Sequence, residues 1–344
     1  MGYKIVIDAM GGDYAPQAPV GGALMALEMN PELSIVLTGT KEALEKELAG
    51  KTYDKNRLSF VYTTEVVENE EHSPVEAIRR KKDSSMVVAL KMVKNKEVDG
   101  FVSAGNTGAV LSGATLLVGR IKGVQRPALT VALPSGEIPV LVLDIGANMD
   151  SKPSYLVQYA KMCEIYCRKL YGIAKPSVGL LNVGVEPGKG NALSKEVYEL
   201  LMAEKEQGMN FIGNVEAREV FSGDMNIVVT DAFAGNVLLK NTEGVVAFIF
   251  KALKKAMYSN LRSKIGALLL KPALMDLKSQ LDPRAVGGTP LLGVDGAVIK
   301  AHGNSNDVAI SSAVKQCLSF IKTEVNEEIR ANLKKEKETI REER

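Results

Sequence analysis

Two side chains in this sequence stand where a polar group could act on a small ligand. Lys189 lies in Val185-Glu186-Pro187-Gly188-Lys189-Gly190-Asn191, between two glycines, so its ammonium can reach a ligand lying against bare backbone. The same pattern also suits an ordinary exposed loop lysine. Asn236 follows Gly235 behind a short apolar run, just before a helical stretch, where an asparagine also serves as an N-cap. Asp231 precedes it and can orient either group. A third candidate carries no charge. Val98 to Ser103 is an apolar run, Ala104-Gly105-Asn106-Thr107-Gly108 is a small-residue turn, and Ala109 onward has helical spacing. A strand, glycine turn and helix in that order aim backbone N–H groups and a positive helix end at one spot, which suits phosphate or another small anion. Taken alone, the motif reads better as a turn whose glycines supply positive φ.

A cation with amide donors and no evident general base suits a charged nucleophile and a good leaving group. Phosphate attacking a thioester is such a reaction. Phosphate is already an anion, and a thiol with a pKa of roughly 8.5 leaves readily. The protein then has to position phosphate and stabilise the oxyanion. Competing chemistries lack their residues. There are two histidines, His72 and His302, and no HExxH, GxSxG, CxxC or strand-following GxGxxG. Gly184 to Lys189 is one residue short of a P-loop and lacks the following Ser or Thr. No metal and no cofactor are called for.

The elements that must hold these groups are short apolar strands alternating with helices. Tyr3 to Asp8, Leu33 to Leu37, Leu58 to Tyr62, Val98 to Ser103, Val178 to Val183 and Ile227 to Thr230 read as strands. Ala128 to Leu133 and Val140 to Leu143 read as a β-pair about Pro134-Ser135-Gly136. Helical spacing follows most of them. Ser73-Pro74-Val75-Glu76 has the form of a capping box, and Ser154 to Tyr171 is a long helix. Alternation of this kind predicts an α/β fold with a mostly parallel sheet covered on both faces. Ligands then bind at the carboxyl ends of strands, where the Gly, Asn and Asp turns fall.

Composition narrows the partners. The 344 residues are 46% hydrophobic and 24% charged, with net charge +2 and no Trp, so neither a nucleic-acid surface nor base-stacking platforms are expected. Cys163, Cys167 and Cys317 are sparse and odd in number, and the first two sit one helical turn apart, as core packing would have them. With no signal-like or spanning apolar run, a cytoplasmic location is expected. Val245 to Met275 holds six Lys or Arg and no Asp or Glu, with apolar residues at helical spacing and an apolar run at Leu268, Leu269 and Leu270. It reads as a core helix with a basic face, as a docking surface for an acidic partner, or as an element lying in a membrane interface; the apolar run favours the last. Glu324 to Arg344 is densely charged and reads as a solvated helix or frayed end.

Several motifs resemble the bacterial phosphate acyltransferase family of phospholipid synthesis. They are Ile7-Asp8-Ala9-Met10-Gly11-Gly12-Asp13 with Ala15-Pro16, Arg79 to Met86, Ser103 to Ala109, Asp144-Ile145-Gly146-Ala147-Asn148, Gly287-Gly288 with Leu292-Gly293-Val294, and Lys300-Ala301-His302-Gly303. The likeness runs from about Lys4 to Lys322. It implies reversible transfer of a fatty acyl group from acyl carrier protein to inorganic phosphate. It also implies a three-layer α/β/α fold like that of isocitrate and isopropylmalate dehydrogenases, built as one domain over 1–323 from two interwoven halves. A basic helical segment at about 245–285 and a charged tail at 324–344 complete the expected plan. A homodimer is implied, peripheral at the inner face of the cell membrane, handing its product to a glycerol-3-phosphate acyltransferase. Lys189 and Asn236 match positions taken as catalytic in that family, with Asp231 beside them.

The expected substrate seat is Gly105, Asn106, Thr107, Gly108, Asn148, His302, Gly303 and Asn304. Arg79, Arg80, Lys81 and Lys82 are expected to receive the carrier protein, and Leu268 to Leu270 to touch the membrane. A phosphate acetyl- or butyryltransferase using coenzyme A, and a non-catalytic membrane scaffold, are the alternatives.

Overall fold

The computed structural model of the protein describes residues 2–281 and 287–342. The chain opens with β1 (Tyr3–Asp8), α1 (Gln17–Met29), β2 (Leu33–Gly39), α2 (Lys41–Leu48) and β3 (Leu58–Tyr62). Next come α3 (Pro74–Arg80), α4 (Ser85–Lys94), β4 (Gly100–Ser103) and α5 (Thr107–Gly113). The middle holds β5 (Ala128–Leu133), β6 (Val140–Leu143), α6 (Pro153–Tyr171), β7 (Val178–Asn182), α7 (Ala192–Glu206), β8 (Phe211–Glu216) and β9 (Ile227–Val229). The chain continues through α8 (Ala232–Met257), α9 (Leu261–Leu281), β10 (Thr289–Leu292), β11 (Ala297–Lys300), α10 (Asp307–Lys322) and α11 (Val325–Glu342). The alternation read from the sequence is present, with β8, β10 and β11 added to it.

All eleven strands form one sheet in the order β3-β2-β1-β4-β11-β10-β5-β6-β9-β7-β8. The strands from β3 to β11 are parallel, and so are those from β6 to β8. Between them β10 runs antiparallel to both β11 and β5, and β5 runs antiparallel to β6. The three antiparallel joints reverse the second half relative to the first. The carboxyl ends of β1, β4 and β11 therefore lie at one edge of the sheet, and those of β6, β9 and β7 at the other.

Strand residues alternate between two apolar layers, as the two-residue period of a pleated strand requires. One layer joins Ile5, Ile7, Val102 and Ile299 to buried residues of α1, α6, α7 and α10. The other joins Val6, Phe101, Val298, Leu129 and Val142 to α4, α5 and the start of α8. The result is the mostly parallel, three-layer α/β/α arrangement. Cys163, Cys167 and Cys317 are buried in the first layer.

Three local expectations change. Ser73 makes no side-chain cap at α3, and Glu76 pairs instead with Arg80 one turn on. The charged tail is a helix whose inner face docks: Val325, Ile329 and Leu333 are buried, and Glu328 pairs with Arg168 and Lys169 of α6. The basic segment is not a core helix. Along α8 and α9, Phe248, Ile249, Leu268, Leu269 and Leu270 are exposed, and α9 packs on α8. Residues 282–285 of that segment and 343–344 of the tail lie outside the described residues.

Candidate active site

Helix α8 ties the two sheet edges together. Asp231 caps it at the β9 end, its Oδ1 accepting from Ala234 N at 2.9 Å. Its first turn lies hard against β6. A Cβ on Gly235 would come within 2.0 Å of the Asp144 carbonyl oxygen, so only glycine lets the helix sit there. From Asp231 to Glu243 the helix climbs about 18 Å, the length of a typical strand. It thus starts at one edge of the sheet and reaches the other, where Glu243 Oε1 lies 3.5 Å from His302 Nε2.

A cavity of about 240 Å³ opens beneath this span. It lies over β11, β10 and β5, the seam where strand direction reverses, between α5 on one side and α8 on the other. Thr107, Lys300, Ala301, His302 and Gly303 line it from the first half, and Ile145, Asn236, Lys240 and Glu243 from the second. Asn236 is half-buried and packs beside Gly146, whose φ of +135° is one that side-chain-bearing residues rarely adopt. Glu243 holds the rim. Its Oε2 accepts from Lys240 Nζ at 2.8 Å. The His302 and Lys240 contacts draw its carboxyl down to about 2 against partial burial.

Lys300 is the residue that sequence reasoning missed. It closes the buried strand β11, and its amine donates to the carbonyls of Ala104 at 3.4 Å and of Ala301. Burial brings it down to about 8, opposed by Asp13 and Asp8 and reinforced by Lys240. The available signal was a lysine ending an otherwise apolar run, Ala297-Val298-Ile299-Lys300.

The strand-end loops of the first half are zipped together. Ser103 and Ser85 hydroxyls donate to Asp8 at 2.8 and 2.6 Å, and Gly105 N donates back to Ser103 Oγ at 3.0 Å. Burial pushes the Asp8 carboxyl up, against these hydrogen bonds. Asp13 N donates to Gly303 O at 2.8 Å. Asn106 caps α5 through Ala109 N and donates to Asn69 O, both at 2.9 Å.

Of the residues expected from the sequence, Thr107, Asn236, His302 and Gly303 share the cavity. Gly105, Asn106 and Gly108 build the turn behind Thr107, and Asn304 is exposed beyond Gly303. Asn148 Nδ2 is spent on Pro127 O at 2.7 Å and Asp144 Oδ2 at 2.8 Å. Lys189 is exposed on the loop after β7, which Asn182 and Asn214 hold through the carbonyls of Lys189 and Glu186. It does not line the cavity. The N-cap reading of Asn236 is corrected, since Asp231 fills that role and leaves the Asn236 amide free to face the cavity. Arg79 and Lys82 are exposed, while Arg80 pairs with Glu76 and Lys81 donates to Val66 O at 2.8 Å.

A mostly apolar cavity with a few convergent polar groups, set where an α/β sheet reverses, is the form a small-molecule site takes. A family model described as a fatty acid synthesis protein matches residues 3–328. A phosphate acyltransferase of Clostridioides difficile is 50% identical over 327 residues, covering 95% of each chain. One of Clostridium tetani is 46% identical over 330 residues, covering 96% of this chain and 98% of the relative. The chain belongs to the phosphate acyltransferase family, and is an acyltransferase. Its fold is similar to that of a phosphotransacetylase from Streptococcus pyogenes (TM-score 0.59, 15% identity, 94% of each chain). It is also similar to a 4-hydroxythreonine-4-phosphate dehydrogenase from Klebsiella pneumoniae (TM-score 0.54, 11% identity, 93% of this chain and 98% of that one). Family membership sets aside the non-catalytic scaffold.

Proposed function

We propose that the protein transfers a fatty acyl group reversibly from acyl carrier protein to inorganic phosphate, giving an acyl phosphate for phospholipid synthesis. The observation that carries the reading is the cavity in which Asn236, Thr107, His302 and Lys240 surround a small space. A volume of about eight waters suits phosphate and the reacting carbonyl, while the fatty chain and the carrier stay outside.

In this reading a phosphate oxygen attacks the thioester carbon, forming the C–O bond. The Asn236 amide N–H donates to the developing oxyanion, which is where preorganised donors act. The C–S bond then breaks, and the proton of monohydrogen phosphate ends on the departing thiol. Thr107, His302 and Gly303 bound the phosphate, with Gly105, Asn106, Gly108, Asn148 and Asn304 shaping the loops around it. Asp231 positions Asn236 by capping its helix. Lys189 stands outside the cavity of a single chain, so its assignment as a phosphate cation is tested by its own variant.

The long-chain carrier substrate is favoured by the surface. Of Arg79, Arg80, Lys81 and Lys82, the exposed Arg79 and Lys82 offer positive charge to an acidic carrier protein, while Arg80 and Lys81 are paired within the chain. Leu268, Leu269 and Leu270, at 72%, 77% and 57% exposure among basic residues, suit a membrane interface where acyl phosphate can pass to a glycerol-3-phosphate acyltransferase. We also propose a homodimer located at the inner face of the cell membrane. Coenzyme A as acyl donor is the second reading, favoured by the phosphotransacetylase likeness.

The test offers long-chain acyl carrier protein and acetyl, butyryl and long-chain coenzyme A thioesters side by side, with and without phosphate. Phosphate-dependent loss of acyl carrier protein thioester, at the highest kcat/KM, is expected. Preference for short coenzyme A thioesters overturns the carrier assignment. Near-normal turnover by both Asn236→Ala and Lys189→Ala overturns the site assignment.

A further inference from the structure

We propose that Lys300 binds the phosphate directly, its ammonium forming the fixed cation in the floor of the cavity. The inference rests on the reading that phosphate is the acyl acceptor, and it names the side chain that receives it.

Lysine is almost never fully buried unless paired. Lys300 is 7% exposed, and its Nζ has two backbone carbonyls for partners, Ala104 O at 3.4 Å and Ala301 O. An ammonium has three donors, so one remains for an occupant of the cavity that Lys300 lines. The two carboxylates whose fields reach it are engaged elsewhere. Asp8 accepts from Ser85 at 2.6 Å, Ser103 at 2.8 Å and Met10 N at 3.2 Å, and Asp13 accepts from Asn69 at 3.3 Å. A buried cation whose own chain spends its nearby carboxylates on other groups fits an incoming anion. Lys240, Thr107 and Asn236 on the same cavity add donors, so the preferred ligand is a small dianion.

The site also has a defined pH response. Burial brings Lys300 down to about 8. The charged and titratable groups around it are Asp8 and Asp13 from β1 and its loop, Lys240 and Glu243 from α8, and His302 beyond the end of β11. As pH rises through about 8 the ammonium is lost, and phosphate affinity falls with it. Above pH 8 inorganic phosphate is almost wholly the dianion, so over that range its own charge changes little. Bound phosphate opposes the loss and shifts it upward.

Lys300→Met and Lys300→Arg are compared with the wild-type enzyme by varying inorganic phosphate at fixed thioester, after circular dichroism has shown that each folds. Lys300→Met is expected to raise the phosphate KM at least 100-fold and the thioester KM less than threefold. Lys300→Arg, which keeps its charge throughout, is expected to lose the alkaline fall near pH 8. An unchanged phosphate KM in folded Lys300→Met overturns the proposal. Should neither variant fold, calorimetric binding of inorganic phosphate to the wild-type enzyme decides: affinity falling above pH 8 supports Lys300, and a flat profile overturns it. Phosphate-dependent turnover absent from the wild-type enzyme defeats the function reading itself. Turnover present, with Lys300→Met keeping the wild-type phosphate KM, defeats this proposal alone.

Discussion

Glu243 Oε1 meets His302 Nε2 at 3.5 Å, joining a helix that starts on one half of the sheet to a loop that ends a strand of the other. The same carboxylate holds Lys240 at 2.8 Å. Because these contacts bring Glu243 down to about 2 from its ordinary 4.5, the folded state gains from its charge at neutral pH. That gain is complete above about pH 4.5 and is lost as pH falls toward about 2. Glu243→Gln is expected to be less stable than wild type by about 1 kcal/mol or less at pH 7. The two proteins should converge in acid. Urea denaturation from pH 7 to pH 3 measures the gap.

Gly235 and Gly244 lie on the same helix and give opposite expectations. A Cβ at Gly235 would meet the Asp144 carbonyl at 2.0 Å and Thr230 Cγ2 at 2.8 Å, whereas one at Gly244 meets nothing within 4 Å. Gly235→Ala should destabilise by about 1–3 kcal/mol, and it displaces Asn236, so turnover should fall. Gly244→Ala should be neutral or stabilise by up to about 1 kcal/mol. Thermal melts and turnover of the two variants decide the matter, and equal behaviour would show that α8 does not rest on Asp144.

Glu164 on α6 supplies a pH effect away from the cavity. Burial raises it to about 7, and Glu204 adds to the rise, while Arg168 and Lys161 oppose it. The folded protein therefore keeps this proton where the unfolded chain has lost it, and stability falls as pH rises from about 4.5 to about 7. Glu164→Gln removes that loss. The melting temperature of the variant relative to wild type should climb across this window and level off above it.

Leu269 is 77% exposed near the middle of α9. Leu269→Glu is expected to lower binding to anionic lipid vesicles at least tenfold in a flotation assay, with turnover of a water-soluble thioester unchanged. Undiminished vesicle binding would remove α9 from the membrane reading.

The sequence made the strand–helix alternation legible because most strands are apolar runs bounded by glycine turns. It hid β8, where Gly213 and Asn214 interrupt the pattern, β10, where Pro290 sits inside the strand, and β11, which ends on a lysine. Without those last two strands the reversal of the sheet is invisible. Asn236 was legible as a polar group behind a strand, but Asp231 and Asn236 are both suitable caps, and only packing against Asp144 decides between them. Asn148 looked ligand-facing because it sits in the turn behind a strand end, yet Asp144 claims it. Lys300, quoted within a motif, was given no role because a lysine ending a strand ordinarily reaches water, and its burial follows from loops distant in sequence.

The reversal of the sheet sets the cavity across the joint between its two strand directions. Strands β10 and β5 are the joint between the half-sheets, paired through Leu291 with Leu129 and Leu292 with Ala128. Helix α8 spans that joint as a strut, seated at Asp144 and latched at His302. A change in twist between the halves would alter the gap under the strut, and opening it would first release the latch.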